Sequence, residues 1–322
     1  MKSFVIQKND AGQRLDKFLS KAVPLLPSSL LYKSIRLKRI KLNRKRCEIS
    51  TRLAEGDVLE LYLNDEFFEK PEGPLLFLKA PAALHIVYED ENILLVDKKP
   101  GLIVHEDSQE TVDTLINRIL HYLYDKKEYR PGEEASFVPS LCNRIDRNTG
   151  GIVIAAKNAE ALRVLNQKIK DRELVKLYLC IVHGQMPQKE GTLSGYLLKD
   201  PEKNKVTVFS SPSPGAKTAV TKYRVLDEKG RFSLLEADLL TGRTHQIRAQ
   251  MAAAGHPLLG DTKYGFARDN KGTGYRYQAL YSYRLTFQFS TGAGALEYLN
   301  HRTFAVEDVW FVQDFKAGRL GE

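Results

Sequence analysis

Apolar residues follow two rhythms along this chain, and the change from one to the other marks its elements. Within 14–22, Leu15, Phe18, Leu19 and Ala22 recur three and four apart, one face of a helix, after a short strand at Phe4-Val5-Ile6. Pro24 and Pro27 stop that helix. Ser28 or Ser29 is placed to cap a second one carrying Leu30, Leu31 and Ile35. Two short strands around Asn43-Arg44-Lys45 and another at Val58-Leu59-Glu60-Leu61 follow. Further on, His85-Ile86-Val87-Tyr88 and Ile93-Leu94-Leu95-Val96 flank a turn, a hairpin pattern. A helix is expected from Thr111 or Asp113 through Leu115, Ile116, Ile119, Leu120 and Leu123, and Asn158 should cap one bearing Leu162, Leu165 and Ile169. Ile152-Val153-Ile154-Ala155-Ala156 reads as a buried strand. Val175–His183 alternates, with Lys176, Tyr178, Cys180 and Val182 on one side of a half-buried strand and Leu177, Leu179 and Ile181 on the other. More strands are expected at 207–209, 219–225, 232–239 and 280–289, with loops at 210–214 and 272–274. Hairpins outnumber strict β-α-β units and there is no internal repeat, so the expected class is α+β.

Charge divides the chain. The net charge is +9, and residues 1–64 hold 14 Lys and Arg against 6 Asp and Glu, or +8. This basic module places Lys33, Arg36, Lys38, Arg39 and Arg44 on or just after its second helix, with Ile40 and Leu42 interleaved. Such clustering favours a polyanion over a merely solvated face, with affinity dominated by phosphate contacts. Residues 65–80, with Glu66, Glu69, Pro71, Glu72, Gly73 and Pro74, break any periodicity and read as a flexible tether to a larger unit over 81–322.

Hydrophobic content of 43% is that of an ordinary globular protein. The longest apolar runs are too short to span a membrane. The amino-terminal residues lack a signal peptide's apolar region, so a cytoplasmic location is expected. Cys47, Cys142 and Cys180 form no CxxC pair, and the apolar surroundings of Cys142 and Cys180 suit reduced core positions. No spacing of histidine, cysteine and acid suggests a metal, and no glycine loop suggests a phosphate cofactor.

Two stretches carry candidate chemistry. In Asn143-Arg144-Ile145-Asp146-Arg147-Asn148-Thr149-Gly150-Gly151, a carboxylate sits on a tight turn that the Asp and Thr side chains are expected to fix. About a hundred residues later, Thr241-Gly242-Arg243-Thr244-His245-Gln246-Ile247-Arg248 opens a helix that Thr241 or Thr244 is placed to cap. Ile247, Met251 and Ala254 should form its buried stripe, with Gly255 and Pro257 at its end. An arginine in the first turn of a helix is unfavourable by itself, so Arg248 calls for a carboxylate there, and Asp146 is the candidate.

Together these stretches resemble the RluA family of pseudouridine synthases. That family's catalytic loop reads His-Arg-Leu-Asp-x-x-Thr-Ser-Gly. Its later signature reads Gly-Arg-Thr/Ser-His-Gln-Ile/Leu-Arg followed by Gly-His-Pro-Ile/Leu-Leu-Gly-Asp. This chain has Gly255-His256-Pro257-Leu258-Leu259-Gly260-Asp261, but Asn143 replaces the His, Ile145 the Leu and Gly150 the Ser. The likeness runs from about 84 to 290. Residues 1–64 resemble the S4 RNA-binding domain, which often has glycines after its second helix and after the Asn where this chain is basic.

The resemblance implies a mixed, mainly antiparallel sheet flanked by helices, preceded by a small α/β domain. It also implies isomerisation of uridine in RNA without a cofactor. Asp146 would be the nucleophile, Arg248 its bidentate partner, and Tyr178 would stack on the base and take a proton. Arg144 would replace the flipped uridine, and Arg147, Lys176, Arg243, His245 and Gln246 would contact RNA or brace the loop. The sequence leaves open whether Asp146 attacks C1′, attacks C6 or assists glycal formation. The S4-plus-catalytic layout is similar to the RluC and RluD type of ribosomal RNA enzyme, and a monomer is expected. Rival readings are a transfer-RNA enzyme, a non-catalytic RNA-binding or ribosome-assembly factor, and a hydrolase using Asp146 with Asp238.

Overall fold

The structure, a computed structural model, describes residues 1–69, 75–105, 111–132 and 135–320. The first unit comprises β1 (Lys2–Val5), α1 (Leu15–Ala22), α2 (Ser28–Arg36), β2 (Ile40–Leu42), β3 (Lys45–Arg46) and β4 (Val58–Leu61). Its strands form an antiparallel sheet in the order β1-β4-β2-β3. Ile6, Leu15, Phe18, Leu19, Ile35, Ile40, Leu59 and Leu61 make a core of its own. The expected serine cap is absent: Pro27 precedes α2, and Ser28 and Ser29 already lie in its first turn. Proline needs no backbone N–H there, and its fixed φ suits a helix start.

Lys38 at φ 60° and Arg44 at φ 63° stand where the S4 resemblance has glycine, and both are exposed. With Asn43 at φ 51°, Arg44 forms the two-residue turn between β2 and β3. The Asn43 side chain accepts from Val58 N (2.8 Å) and donates to Asp57 Oδ1 (2.7 Å), which ties the turn to β4. Left-handed backbone at a lysine or arginine costs about 1 kcal/mol more than at glycine. Lys33, Arg36 and Arg39 are exposed beside them.

The segment expected to be an irregular tether is more ordered than that. Its stretch Pro71-Glu72-Gly73-Pro74 lies outside the described residues, but 3-10 turns form at Asp65–Phe68 and Leu76–Lys79. Phe67 and Phe68 pack on the first unit's core, and Phe77 is buried against Tyr124 and Tyr129. Apolar burial orders these two flanking stretches. The first unit is also docked on the second. Ser136 Oγ donates to buried Asp10 (2.6 Å), Gln13 donates to Ser136 (2.7 Å), and Arg163 donates to the Ala11 carbonyl (2.6 Å).

The larger unit runs β5 (Ile86–Glu89), β6 (Ile93–Lys98), α3 (Leu115–Asp125), β7 (Ser140–Leu141), β8 (Gly150–Ala156), α4 (Ala159–Lys170), β9 (Leu174–His183), β10 (Glu190–Asp200) and β11 (Lys205–Phe209). It continues through β12 (Lys217–Lys229), β13 (Phe232–Leu239), α5 (Gln246–Ala253), α6 (Ala267–Asn270), β14 (Leu280–Phe287), β15 (Thr303–Ala305) and α7 (Trp310–Lys316). One sheet runs β11-β10-β12-β13-β9-β14-β8-β6-β5, with β15 beside β14 and β7 beside β8. Among the described strand-to-strand ladders β14 with β8 is parallel and the others are antiparallel, so the mixed, mainly antiparallel sheet is as expected.

Local signals set several elements. Asn158 caps α4 by accepting from Ala161 N (2.9 Å). α3 is capped by Thr114, not by Thr111 or Asp113, because Thr114 Oγ1 reaches Asn117 N. β9 alternates as read but is not half-buried. Tyr178, Cys180 and Val182 enter one core, while Leu179 and Ile181 enter another on the opposite face. A strand in the middle of a sheet covered on both sides buries both of its faces. β10 was not anticipated, since its apolar residues are few and broken by Gly191 and Gly195. The three cysteines are unpaired, and burial pushes Cys142 and Cys180 up to about 12.

Candidate active site

Asp146 lies four residues before β8, where the chain enters the middle of the sheet. Thr149 N donates to the Asp146 carbonyl (3.0 Å) and closes the turn. The side chains expected to fix this turn do other work. Thr149 Oγ1 accepts from Gln278 Nε2 (3.1 Å), and the Asp146 carboxylate points to Arg248. The two glycines are required by β14, which runs beside the turn in register Tyr281↔Gly150 and Ser282↔Gly151. A Cβ on Gly150 would lie 2.3 Å from the Tyr281 ring, and one on Gly151, at φ 116°, would lie 2.2 Å from the Ser282 carbonyl oxygen. The Gly150 departure from the family's serine is thus matched by the Tyr281 ring. Asn143, in place of the family's histidine, accepts from Ile154 N (2.8 Å) and braces the loop against β8.

Arg248 is the centre of the charge arrangement. Its Nη1 donates to Asp146 Oδ2 (2.8 Å), so the two motifs do meet. The expected bidentate geometry goes elsewhere: Nε and Nη2 grip Asp261 Oδ2 (2.6 Å) and Oδ1 (3.0 Å). Asp261 is fully buried and also accepts from Lys263 N and Tyr264 N. Burial alone would raise its pKa, but the bonds and charge of Arg248 outweigh this and hold it below the usual carboxylate value. The Arg248 pKa is likewise raised, its carboxylate partners overcoming desolvation. Asp146 thus gives one oxygen to a guanidinium already fixed by a second carboxylate. Oδ1 of Asp146 has no hydrogen-bond partner among the described residues, and the side chain keeps 23% of its exposure.

The entry to α5 differs from expectation in two ways. Neither threonine caps it through a side chain; His245, at φ 51°, is the residue before its first turn. Gln246 Oε1 instead accepts from Thr241 Oγ1 (2.8 Å) and Arg243 N (3.0 Å), which folds the loop over the helix start. Nor is there a stripe: Gln246 through Met251 are all buried, while Ala254 is exposed. From Gln246 to Met251 the helix is enclosed on all sides, so a one-face pattern does not arise.

Three groups complete the surroundings. Tyr178 is buried with Ile145 and Ile247 in its cluster, and burial pushes its hydroxyl up to about 12 despite a hydrogen bond with Ser282. At neutral pH it therefore keeps its proton and offers a donor. Lys98 is almost fully enclosed, and its ammonium donates to the carbonyls of Lys99 (3.1 Å), Leu102 (2.9 Å) and Arg147 (2.9 Å). Burial pushes it down to about 7, against the pull of Asp146 and Asp97. It clips the turn after β6 to the residue following Asp146. His245 lies with Nε2 3.8 Å from Asp146 Oδ2 and Nδ1 2.9 Å from the Tyr264 hydroxyl.

The other expected contacts separate by exposure. Arg144 and Arg147 are exposed, although Arg147 Nε also donates to the Gly101 carbonyl (3.1 Å). Lys176 is half-buried, and desolvation lowers its pKa. Arg243 is half-buried and bonded to the Thr218 carbonyl (3.0 Å). Gln246 is only 2% exposed and acts as a loop brace. Asp238 shares its side of β13 with Leu234 and the far-face core, while Leu235 and Ala237 line the Tyr178 side. Strand alternation thus separates it from Asp146 and removes the basis for a paired-carboxylate hydrolase. Asp261, Tyr264 and Lys98 received no role from sequence reasoning. Asp261 closes the Gly255–Asp261 signature, and an acid at that place was the available signal.

A carboxylate clamped by a guanidinium, with one oxygen free, stands at the mouth of a mainly antiparallel sheet beside a buried tyrosine and exposed arginines, an arrangement able to act as a nucleophile on a polyanionic substrate. Comparison with known proteins gives the class a name. The family model "RNA pseudouridylate synthase" matches residues 92–253. An RNA pseudouridine synthase of Mycoplasma genitalium, itself described as uncharacterized, is 34% identical over 88% of both chains. The ribosomal large subunit pseudouridine synthase C of Vibrio cholerae is 32% identical over 88% of this chain and 87% of its own. Human RNA pseudouridylate synthase domain containing 4 shares the fold, with a TM-score of 0.57 at 21% identity over 74% of this chain and 94% of its own. The chain belongs to the RNA pseudouridine synthase family and is an isomerase that converts uridine in RNA to pseudouridine.

Proposed function

We propose that this enzyme isomerises uridines of large-subunit ribosomal RNA, with Asp146 as nucleophile, Arg248 as its orienting partner and Tyr178 against the flipped base. The observation that carries the site assignment is the 2.8 Å bond from Arg248 to Asp146 Oδ2, with Oδ1 left free. The reaction breaks N1–C1′ and forms C5–C1′, and the C5 proton is exchanged for one on N1, so RNA mass is unchanged. Attack at C1′, attack at C6 and glycal formation all need a carboxyl oxygen free to reach the nucleotide, and Oδ1 is such an oxygen. Flipping the nucleotide costs a few kcal/mol, and we assign exposed Arg144 to fill the gap.

The ribosomal assignment is supported by relatives whose names give that substrate. The basic first unit, read as S4-like, is the RNA anchor through Lys33, Arg36, Lys38, Arg39 and Arg44. A cytoplasmic monomer is the form in which it acts. Among the described residues no helix is long and apolar enough to cross a membrane. Chemical labelling of pseudouridines in ribosomal and transfer RNA, from cells with and without the gene, tests the substrate. Loss at particular large-subunit positions is expected. Loss confined to transfer RNA would move the substrate there.

A further inference from the structure

The surroundings of Asp146 contain one polar chain that the reaction scheme does not use. It begins at Val206 in β11, whose N–H donates to the Tyr264 hydroxyl oxygen at 2.8 Å. That oxygen has a proton of its own to place, and the polar atom next to it is His245 Nδ1, at 2.9 Å. A donor at Tyr264 requires an acceptor at Nδ1. The proton of a neutral imidazole must then sit on Nε2. Nε2 is the atom that faces Asp146 Oδ2, at 3.8 Å. Closing that gap to hydrogen-bond distance takes a shift of roughly 1 Å.

We propose that His245 is a positioning residue for the nucleophile: Tyr264 fixes its Nε2–H tautomer, and this N–H, with Arg248, holds Oδ2 of Asp146 so that Oδ1 alone faces the nucleotide. Several features fit this role and disfavour an outward RNA contact. The His245 side chain is only 8% exposed. Its backbone is left-handed at φ 51°, a conformation that costs energy and here turns the ring inward at the start of α5. Tyr264 is itself held in place, with the Arg248 guanidinium 5.3 Å and the Lys205 ammonium 5.6 Å from its ring centroid. One tyrosine thus orders both donors to Oδ2.

The charged groups facing the imidazole are Asp146 and Asp261 on one side of the balance and Arg248 and Lys263 on the other. Burial dominates and pushes the ring down to about 4, so it is uncharged at the pH of the cell. A neutral donor steers the carboxylate without adding a second full positive charge beside Arg248. That matters, because an imidazolium beside a carboxylate lowers its basicity.

The proposal rests on Asp146 being the nucleophile, but its first test does not need turnover. Nitrogen-15 NMR of histidine-labelled protein should show His245 neutral with the proton on Nε2 at pH 6 to 7. A Nδ1–H tautomer, or an imidazolium in that range, overturns it. Tyr264→Phe should then show mixed tautomers and lose about 10- to 100-fold in kcat, the cost of a misplaced reacting group. RNA affinity should stay unchanged in that variant. His245→Ala should fall similarly, while His245→Gln, whose amide N–H reaches the Nε2 position, recovers most of the rate. Full activity in His245→Ala, or loss of RNA affinity in place of kcat, sinks the assignment. If Asp146→Asn retained turnover, the nucleophile reading would fail while the tautomer result stood.

Discussion

Arg248 reaches Asp146 with one nitrogen and Asp261 with two, so the nucleophile candidate shares its guanidinium with a fully buried carboxylate. Asp261, fully buried, sets where the arginine lies, and Asp146 takes what remains. This ordering explains how a carboxylate is both fixed and left with a free oxygen.

Asp146→Asn keeps the shape and an acceptor for Arg248 but removes the proposed nucleophile. Isomerisation should drop by about 10⁴-fold or more, as when other covalent nucleophiles are removed. RNA binding, measured by filter retention, should persist. Substantial residual turnover would refute the role.

Asp261→Asn should release the two-pronged grip on Arg248. Loss of one partner of a buried ion pair costs about 3–5 kcal/mol, and retention of the amide oxygen puts this variant at the lower end. The folded pKa of Asp261 lies below its ordinary 3.8, so its stabilising contribution is complete above that pH and fades as pH falls through the lowered value. Denaturant midpoints of wild type and variant should therefore converge as pH drops from 5 towards 2. A constant gap would show that the charge of Asp261 is not what matters.

Tyr178→Phe preserves the ring and removes the hydroxyl. Because that hydroxyl, pushed up to about 12, holds its proton at neutral pH, its loss deletes a donor and leaves stacking in place. The expected result is a fall in kcat of about 100-fold with KM for RNA little changed. Tyr178→Leu should impair both. Equal losses in KM for the two variants would limit the residue to a binding role.

Gly150→Ala tests the close approach of β14. The added Cβ would lie 2.3 Å from the Tyr281 ring, which is itself held by a bond from its hydroxyl to Asp97 (2.6 Å). Overpacking of this kind costs about 1–3 kcal/mol. Thermal melting should show a loss, and trimming the ring with Tyr281→Leu should restore part of it. A neutral Gly150→Ala would mean that the sheet yields freely beside the catalytic loop.

Arg44→Gly and Lys38→Gly separate folding from binding in the first unit. Both positions are left-handed, so glycine relieves about 1 kcal/mol of strain, offset in part by its greater unfolded-state freedom. The melting temperature should hold or rise, while RNA affinity and its salt slope decline. If affinity is unaffected, these side chains are not phosphate contacts.

Much of this architecture was legible from the residues in order. The Asn158 cap, the β5–β6 hairpin, the alternation of β9 and the helix ending at Gly255 depend on bonds within a few residues, and such signals survive in a linear sequence. The pairing of Asp146 with Arg248 was also legible, since an arginine opening a helix asks for an acid and two spaced motifs offered one. What the tertiary structure alone decided was the division of that arginine between two carboxylates, the enclosure of Lys98 and the inward turn of His245 onto Tyr264. It also decided the ordering of the expected tether by Phe67, Phe68 and Phe77. These outcomes depend on groups from strands and loops that the sheet brings together; Arg248 and Asp146 are 102 residues apart. A local pattern states which atoms a residue offers. Only the packed sheet fixes which partners are near enough to take them and how much water is excluded when they do.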